Sequence, residues 1–263
     1  MQSIQNIQSI LSIAKITLKE SSRDKIFIGL LIFLLFFFFF CVYISTLSLG
    51  TAARFIENTG MLGISLVNLM VVILFGLFSI YREKERNELY VLLNRVPRYA
   101  YLLGRFLGTG YILVIFSLIS GAGIFILTWV FGQKAAPELF WAAYWAILEF
   151  TLLTGIGFLF YSMSMSFTLN SIMLISVFIA GHSLNEAIQS FVALGRYGSK
   201  LHLLSIKTIS YIFPNFDVFD FRLAIVHSET IPAGQIFLAT CYWLFYLTAV
   251  MALSSAIMNR KDI

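Results

Sequence analysis

The sequence predicts an all-α membrane protein of about six transmembrane helices. Three observations carry that reading: its apolar content, the placement of its charges at the ends of apolar runs, and its length. Of 263 residues, 59% are hydrophobic and 12% charged, with a mean hydropathy of +0.88. A water-soluble globule is excluded at that composition. One bilayer crossing takes about 20 apolar residues, so the chain holds roughly six crossings with little left for a soluble domain. A net charge of +5 would suit a nucleic-acid binder only if the basic residues gathered on one solvated face. They flank apolar segments instead, and no nucleic-acid partner is expected. Cys41 and Cys241 lie in apolar stretches, where a thiol acts as a small hydrophobe. No small-residue cleavage site follows the first apolar run, which reads as a retained anchor.

Residues 4–20 have helical period: Ile4, Ile7, Leu11, Ala14 and Leu18 share an apolar face beside a stripe of Gln5, Gln8, Ser12, Lys15 and Lys19. The pattern predicts an interfacial helix lying along the membrane. After Ser22, Arg23, Asp24 and Lys25, residues 26–49 run without a charge and include five consecutive phenylalanines, Phe36 to Phe40. This is the first predicted span. A loop over 50–60 leads to a second span, 61–81, which stops at Arg82-Glu83-Lys84-Glu85-Arg86. The third span is predicted over 106–131, the fourth over 140–165 and the fifth over 171–187. The fifth turns polar at Gly181-His182-Ser183, Asn185 and Glu186. Residues 188–234 are mixed, too polar for a clean span, and are placed outside as a partly helical segment. The sixth span, 235–258, closes on Asn259, Arg260, Lys261 and Asp262.

Orientation follows from the cations, which cytoplasmic loops retain more than translocated ones. Lys15, Lys19, Arg23 and Lys25 precede the first span, Arg82 to Arg105 hold the connection between the second and third, and Arg260 and Lys261 follow the last. Both termini are therefore expected in the cytoplasm. The opposite short loops carry only Arg54 and Lys134.

Residues 82–98 hold the most specific pattern. Glu83, Arg86, Glu88 and Arg95 surround an i, i+3, i+4 patch of Leu89, Leu92 and Leu93, and Pro97 disfavours helix at Val96. The result is a short charged amphipathic helix. It fits a groove on a soluble partner, with the leucines filling a pocket; it fits a solvated connector equally well.

The acidic-basic run after the second span, the leucine pair, the Arg-x-Pro-Arg turn of Arg95 to Arg98 and Tyr101-Leu102-Leu103-Gly104-Arg105-Phe106-Leu107-Gly108 together resemble the permeases of type-2 ABC exporters. The N-terminal amphipathic helix and Ile212-Phe213-Pro214-Asn215-Phe216-Asp217 are similar to the subgroup linked with multicopper-enzyme maturation, the nitrous oxide reductase accessory permeases. The chain departs from many relatives by carrying Asn87-Glu88 where they have Gly-Thr. What the resemblance implies is a bacterial inner-membrane permease that pairs with a second copy or a close paralogue. It would bind cytosolic ABC ATPases through a coupling helix around Glu83, Arg86, Glu88, Leu89, Leu92, Leu93, Arg95 and Pro97. A periplasmic protein is a further partner it allows. The chain has no Gly-rich phosphate loop ending in Lys-Ser or Lys-Thr, so Mg-ATP is expected in the partner chain, with no cofactor and no enzymatic activity here.

Within the membrane, Glu149 stands out, because a charge at mid-bilayer costs at least about 2.5 kcal/mol. It reads as part of a translocation path or a proton-linked switch, or as a neutral or hydrogen-bonded packing contact near a dimer seam. His182, Asn185 and Glu186 fall on one helical turn and read as a gate or as the point where a helix meets water. His202 and His227 lack ligand spacing, and no metal site is expected. Gly155 and Gly157 with Thr151 and Thr154 predict close packing of the fourth span. Two alternatives to a permease remain: a membrane anchor transmitting ATPase force to an envelope partner, and a secondary transporter. The latter calls for paired intramembrane charges and an internal repeat.

Overall fold

The computed structural model describes residues 2–46, 52–86, 96–132, 139–193, 214–222 and 232–260. Among the described residues there are helices and turns and no strand. Helix α1 is Gln2–Arg23 and α2 is Lys25–Thr46. Helix α3, Ala52–Val71, passes through a π-helical stretch at Val72–Leu77 into α4, Phe78–Glu85. Then come α5, Arg98–Gly132, α6, Leu139–Ser162, α7, Phe167–Ala193, and α8, Ala233–Asn259, with a 3-10 turn at Phe216–Phe219 before the last.

Among the described residues, five helical stretches are long and apolar enough to cross a membrane: Lys25–Thr46, Arg54–Glu85, Arg98–Phe131, Leu139–Ser162 and Ala233–Asn259. Phe167–Ser183 is a shorter apolar helix, 17 residues at most by that criterion. The described part of the protein is thus all-helical, and the chain has the composition of a multi-pass membrane protein. Its outward side chains are those lipid would solvate: Phe36 and Phe39 on α2 and Phe245 on α8 are each at least two-thirds exposed. By contrast, α6 is 78% buried where α2 is 17%, so α6 is the axis of the bundle. Glycine makes that possible. A Cβ on Gly155 would lie 2.9 Å from Leu247 of α8, and one on Gly157 2.9 Å from Leu77 of the π-helical stretch.

Several boundaries differ from the sequence reading. Part of the expected loop at 50–60 is helical from Ala52, with Ile56 fully buried. Arg54 and Glu57 look like loop residues in a list of charges, but they continue a helix whose Gly60 approaches Ile124 of α5. Helix α5 starts at Arg98 instead of 106. Pro97 stands just before it, its carbonyl accepting from the amides of Ala100 at 2.9 Å and Tyr101 at 3.1 Å, a position where its missing N–H costs nothing. Helix α6 stops at Ser162, and Ser164, at φ 65°, turns the chain into α7. Helix α7 extends from Phe167 to Ala193, beyond the 171–187 expected.

The N-terminal helix is docked on protein. Ile13, Ala14, Thr17 and Ser21 are buried against a Gly-x-x-x-Gly face of α5. A Cβ at Gly104 would fall 2.7 Å from the Ile13 Cβ, and one at Gly108 2.5 Å from that of Thr17. Ile7 and Leu11, next to that face on the helical wheel, remain exposed. Helix α1 therefore presents one edge to protein and keeps an apolar edge of the kind an interfacial helix lays on lipid.

Candidate functional site

Two polar clusters stand out in this apolar bundle. The first surrounds the start of the 82–98 segment. Arg105 of α5 is buried and pairs through Nη2 with Glu83 Oε1, at the end of α4. Its Nη1 donates to Thr17 Oγ1 of α1 at 3.1 Å and reaches Glu20 at 3.4 Å. Tyr101, fully buried, donates its hydroxyl to Glu83 Oε2 at 2.6 Å. Three elements, α1, α4 and α5, are thereby joined through one guanidinium. Beside them Arg82 Nη1 donates to Asp24 Oδ2 at 3.0 Å, and Asp24 Oδ1 accepts from the Ile26 amide at 3.1 Å, capping α2. The Ile26 amide, with help from Arg82, holds the Asp24 carboxyl below the usual carboxylate range. At the other end of the segment, Arg98 Nη1 donates to the Met258 carbonyl at 2.9 Å, where α8 ends.

Of the residues that the sequence marks for ATPase coupling, Glu83 faces the interior of the chain. Arg86 is exposed and borders a cleft of about 340 Å³ with Glu20, Arg23, Asp24, Arg82 and Glu83. Pro97 is exposed at the start of α5. Glu88, Leu89, Leu92, Leu93 and Arg95 lie outside the described residues, and so does the helix expected over them.

The second cluster joins residues that the sequence marks separately. Glu149 of α6 and His182 of α7 lie 3.3 Å apart, Oε1 to Nε2, with side chains 7% and 19% exposed. The separation is that of an ion pair, but neither atom has an aligned hydrogen bond within the described residues. His182 Nδ1 is 3.2 Å from the Phe178 carbonyl, and the ring packs against Phe178 and Phe216, which also touch each other. The 214–222 segment closes over the pair. Arg222 Nη2 donates to Ser65 Oγ of α3 at 3.0 Å, and its Nε is 3.6 Å from Asp220. Phe221 stacks on Trp145 with centroids 4.3 Å apart. The segment is seated by Gly181, where a Cβ would fall 2.2 Å from the Phe216 ring and 2.8 Å from the Pro214 carbonyl. It is also held by the Asn215 amide, which donates to the Tyr242 hydroxyl of α8 at 2.9 Å.

The side chains of Asn185 and Glu186 lie outside the described ones. Asp220, Arg222 and Trp145 were not marked as site residues by the sequence reading. The signal was present in the alternation Phe216-Asp217-Val218-Phe219-Asp220-Phe221-Arg222, aromatic residues interleaved with charges, which suits a strap laid across a polar patch. Among the described residues, no group of three or more His, Cys, Asp or Glu could hold a metal ion. No protein-family model matches the chain, and no significant relative is found among curated proteins.

Proposed function

We propose that this chain is the membrane-spanning permease subunit of an ATP-driven transporter of the type-2 ABC exporter kind. In this reading it has six crossings, cytoplasmic termini, and a separate cytosolic ATPase docked on the 82–98 segment. The observation that supports it best is how that segment is anchored. At its start Glu83 is tied to α5 and α1 through Arg105; at its end Arg98 is tied to the last turn of α8. A force applied between those points would be felt by α1, α4, α5 and α8 together. A charged connector needs no such anchorage to satisfy the charge rule, whereas a lever does. Hydrolysis in the partner would then bias two bundle arrangements through differential contacts at the segment.

The Glu149 cavity, at about 30 Å³, holds little more than water. A solute path would therefore run between two copies of the chain. The test is purification of the tagged chain from its native membrane with Leu89→Asp/Leu92→Asp as the comparison. A nucleotide-hydrolysing subunit should accompany the wild-type chain and be lost from the variant. Equal recovery with both, or none with either, refutes the reading.

A further inference from the structure

Seven buried side-chain atoms lack a hydrogen-bond partner among the described residues. Three of these atoms belong to residues bordering one cavity: Trp145 Nε1, Glu149 Oε1 and His182 Nε2. Leaving such groups unsatisfied is costly, at about 1–3 kcal/mol each, so their convergence calls for a shared explanation. The hydrogen positions supply one. A carbonyl oxygen can only accept, so the 3.2 Å contact to Phe178 assigns the neutral ring's hydrogen to His182 Nδ1. Nε2 is then a bare acceptor, and it faces Glu149 Oε1, another acceptor, at 3.3 Å. Two acceptor atoms this close in an apolar bundle repel, although they are not aligned as a hydrogen bond would be. A single proton between them removes the conflict, either as carboxylic acid with imidazole or as carboxylate with imidazolium, and in both forms the pair is neutral.

We propose that Glu149 and His182 form a buried binding site for one exchangeable proton. The cavity beside them is about 30 Å³, more than the 10–15 Å³ or so that one water requires. A water there can accept from the Trp145 indole N–H and link the pair to the 214–222 segment. Among the described residues, the charged groups that face the site are few. Helix α6 contributes Glu149, α7 contributes His182, and the 214–222 segment contributes Asp220 and Arg222; α3 contributes Met61, Ile64 and Ser65, none of which titrates. Helices α5 and α8 contribute no described residue to the cavity lining, and the nearby Tyr242 hydroxyl is engaged by the Asn215 amide. Loss of the proton leaves the pair with one net negative charge opposite the Arg222 guanidinium. The strap carrying Arg222 is then held more tightly. Proton occupancy is thereby coupled to how firmly 214–222 sits on α3, α6 and α7.

The proposal does not depend on the transporter reading, since its test needs the chain alone. The full chain, 15N-labelled at histidine and carrying His202→Gln and His227→Gln, is placed in lipid nanodiscs and titrated by NMR. We expect Nδ1 of His182 to stay protonated throughout and Nε2 to change in a single step. Glu149→Gln should displace that step, because the second acceptor is gone. A ring that carries its hydrogen on Nε2, or whose Nε2 signal does not change with pH, overturns the proposal on the wild-type side chains alone. A midpoint unchanged in a folded Glu149→Gln variant overturns it as well.

Discussion

Replacing Arg105 by methionine tests the anchorage of the 82–98 segment. The arginine side chain is 4% exposed and its partner Glu83 8%, so the substitution leaves a carboxylate in a desolvated place where, among the described residues, the Tyr101 hydroxyl at 2.6 Å is what still binds it. Removing one member of a buried ion pair costs about 3–5 kcal/mol. The contact to Glu20 adds little, because that side chain is 52% exposed. For a chain of this size the loss corresponds to a fall of roughly 6–20 °C in Tm. Thermal unfolding in detergent, followed by helical circular dichroism, measures it. Where unfolding is irreversible, the unfolding rate at fixed temperature is the quantity to compare. The decisive variant is the double one, Glu83→Gln/Arg105→Met, which removes the stranded charge along with its partner. It should recover enough that the coupling between the two sites is at least about 1.5 kcal/mol. An Arg105→Met variant within about 0.5 kcal/mol of the wild type, or strict additivity in the double variant, would refute the view that these residues form one buried anchor.

Gly181→Ala should loosen the 214–222 strap, since the added methyl meets both the Phe216 ring and the Pro214 carbonyl at under 3 Å. Overpacking of this kind costs about 1–3 kcal/mol, equivalent to roughly 5- to 150-fold faster hydrogen exchange across 214–222; exchange within twofold of the wild type would contradict it. Asp24→Ala should destabilise the chain by about 1 kcal/mol at neutral pH through loss of the α2 cap. The Asp24 carboxyl is held below its ordinary value of 3.8, so its contribution is complete above that pH and disappears as pH falls through the lower folded value. The gap between variant and wild type should therefore close in acid, and a gap that widens there would be the wrong sign.

The helical class and the apolar runs were legible because composition alone decides what solvent a chain of this kind can tolerate. So was the close packing of α6: Thr151, Thr154, Gly155 and Gly157 signal close approach, and α8 and the π-helical stretch do come close there. The helix ends were harder. By sequence, Arg54, Glu57, Arg98 and Arg105 mark loops or span edges, yet they lie within helices, and Arg105 is tolerated in the interior because Glu83, Thr17 and Tyr101 form one network with it. No spacing rule links residues from three different elements. Glu149 and His182 were each marked, but as a mid-span charge and a boundary polar group. Placing them at similar distances from the Ser164 turn would have shown that an antiparallel α6–α7 hairpin brings them to the same depth. The alternation over 216–222 hints at a strap, but where Asp220 and Arg222 come to lie depends on how 214–222 folds back over α6 and α7, which follows from tertiary packing around Gly181 and Tyr242.

The most direct test of the account is to ask which face of the membrane carries the 82–98 segment and what touches it. A single cysteine at Leu92, in a chain with Cys41 and Cys241 replaced by alanine, is probed in sealed native membranes with an impermeant thiol reagent from either side and with a short bifunctional cross-linker. The account predicts labelling only from the cytoplasmic side and a cross-link to a nucleotide-hydrolysing chain. Labelling from the outer side, or a cytoplasmic cysteine that is never captured by such a partner, would contradict it.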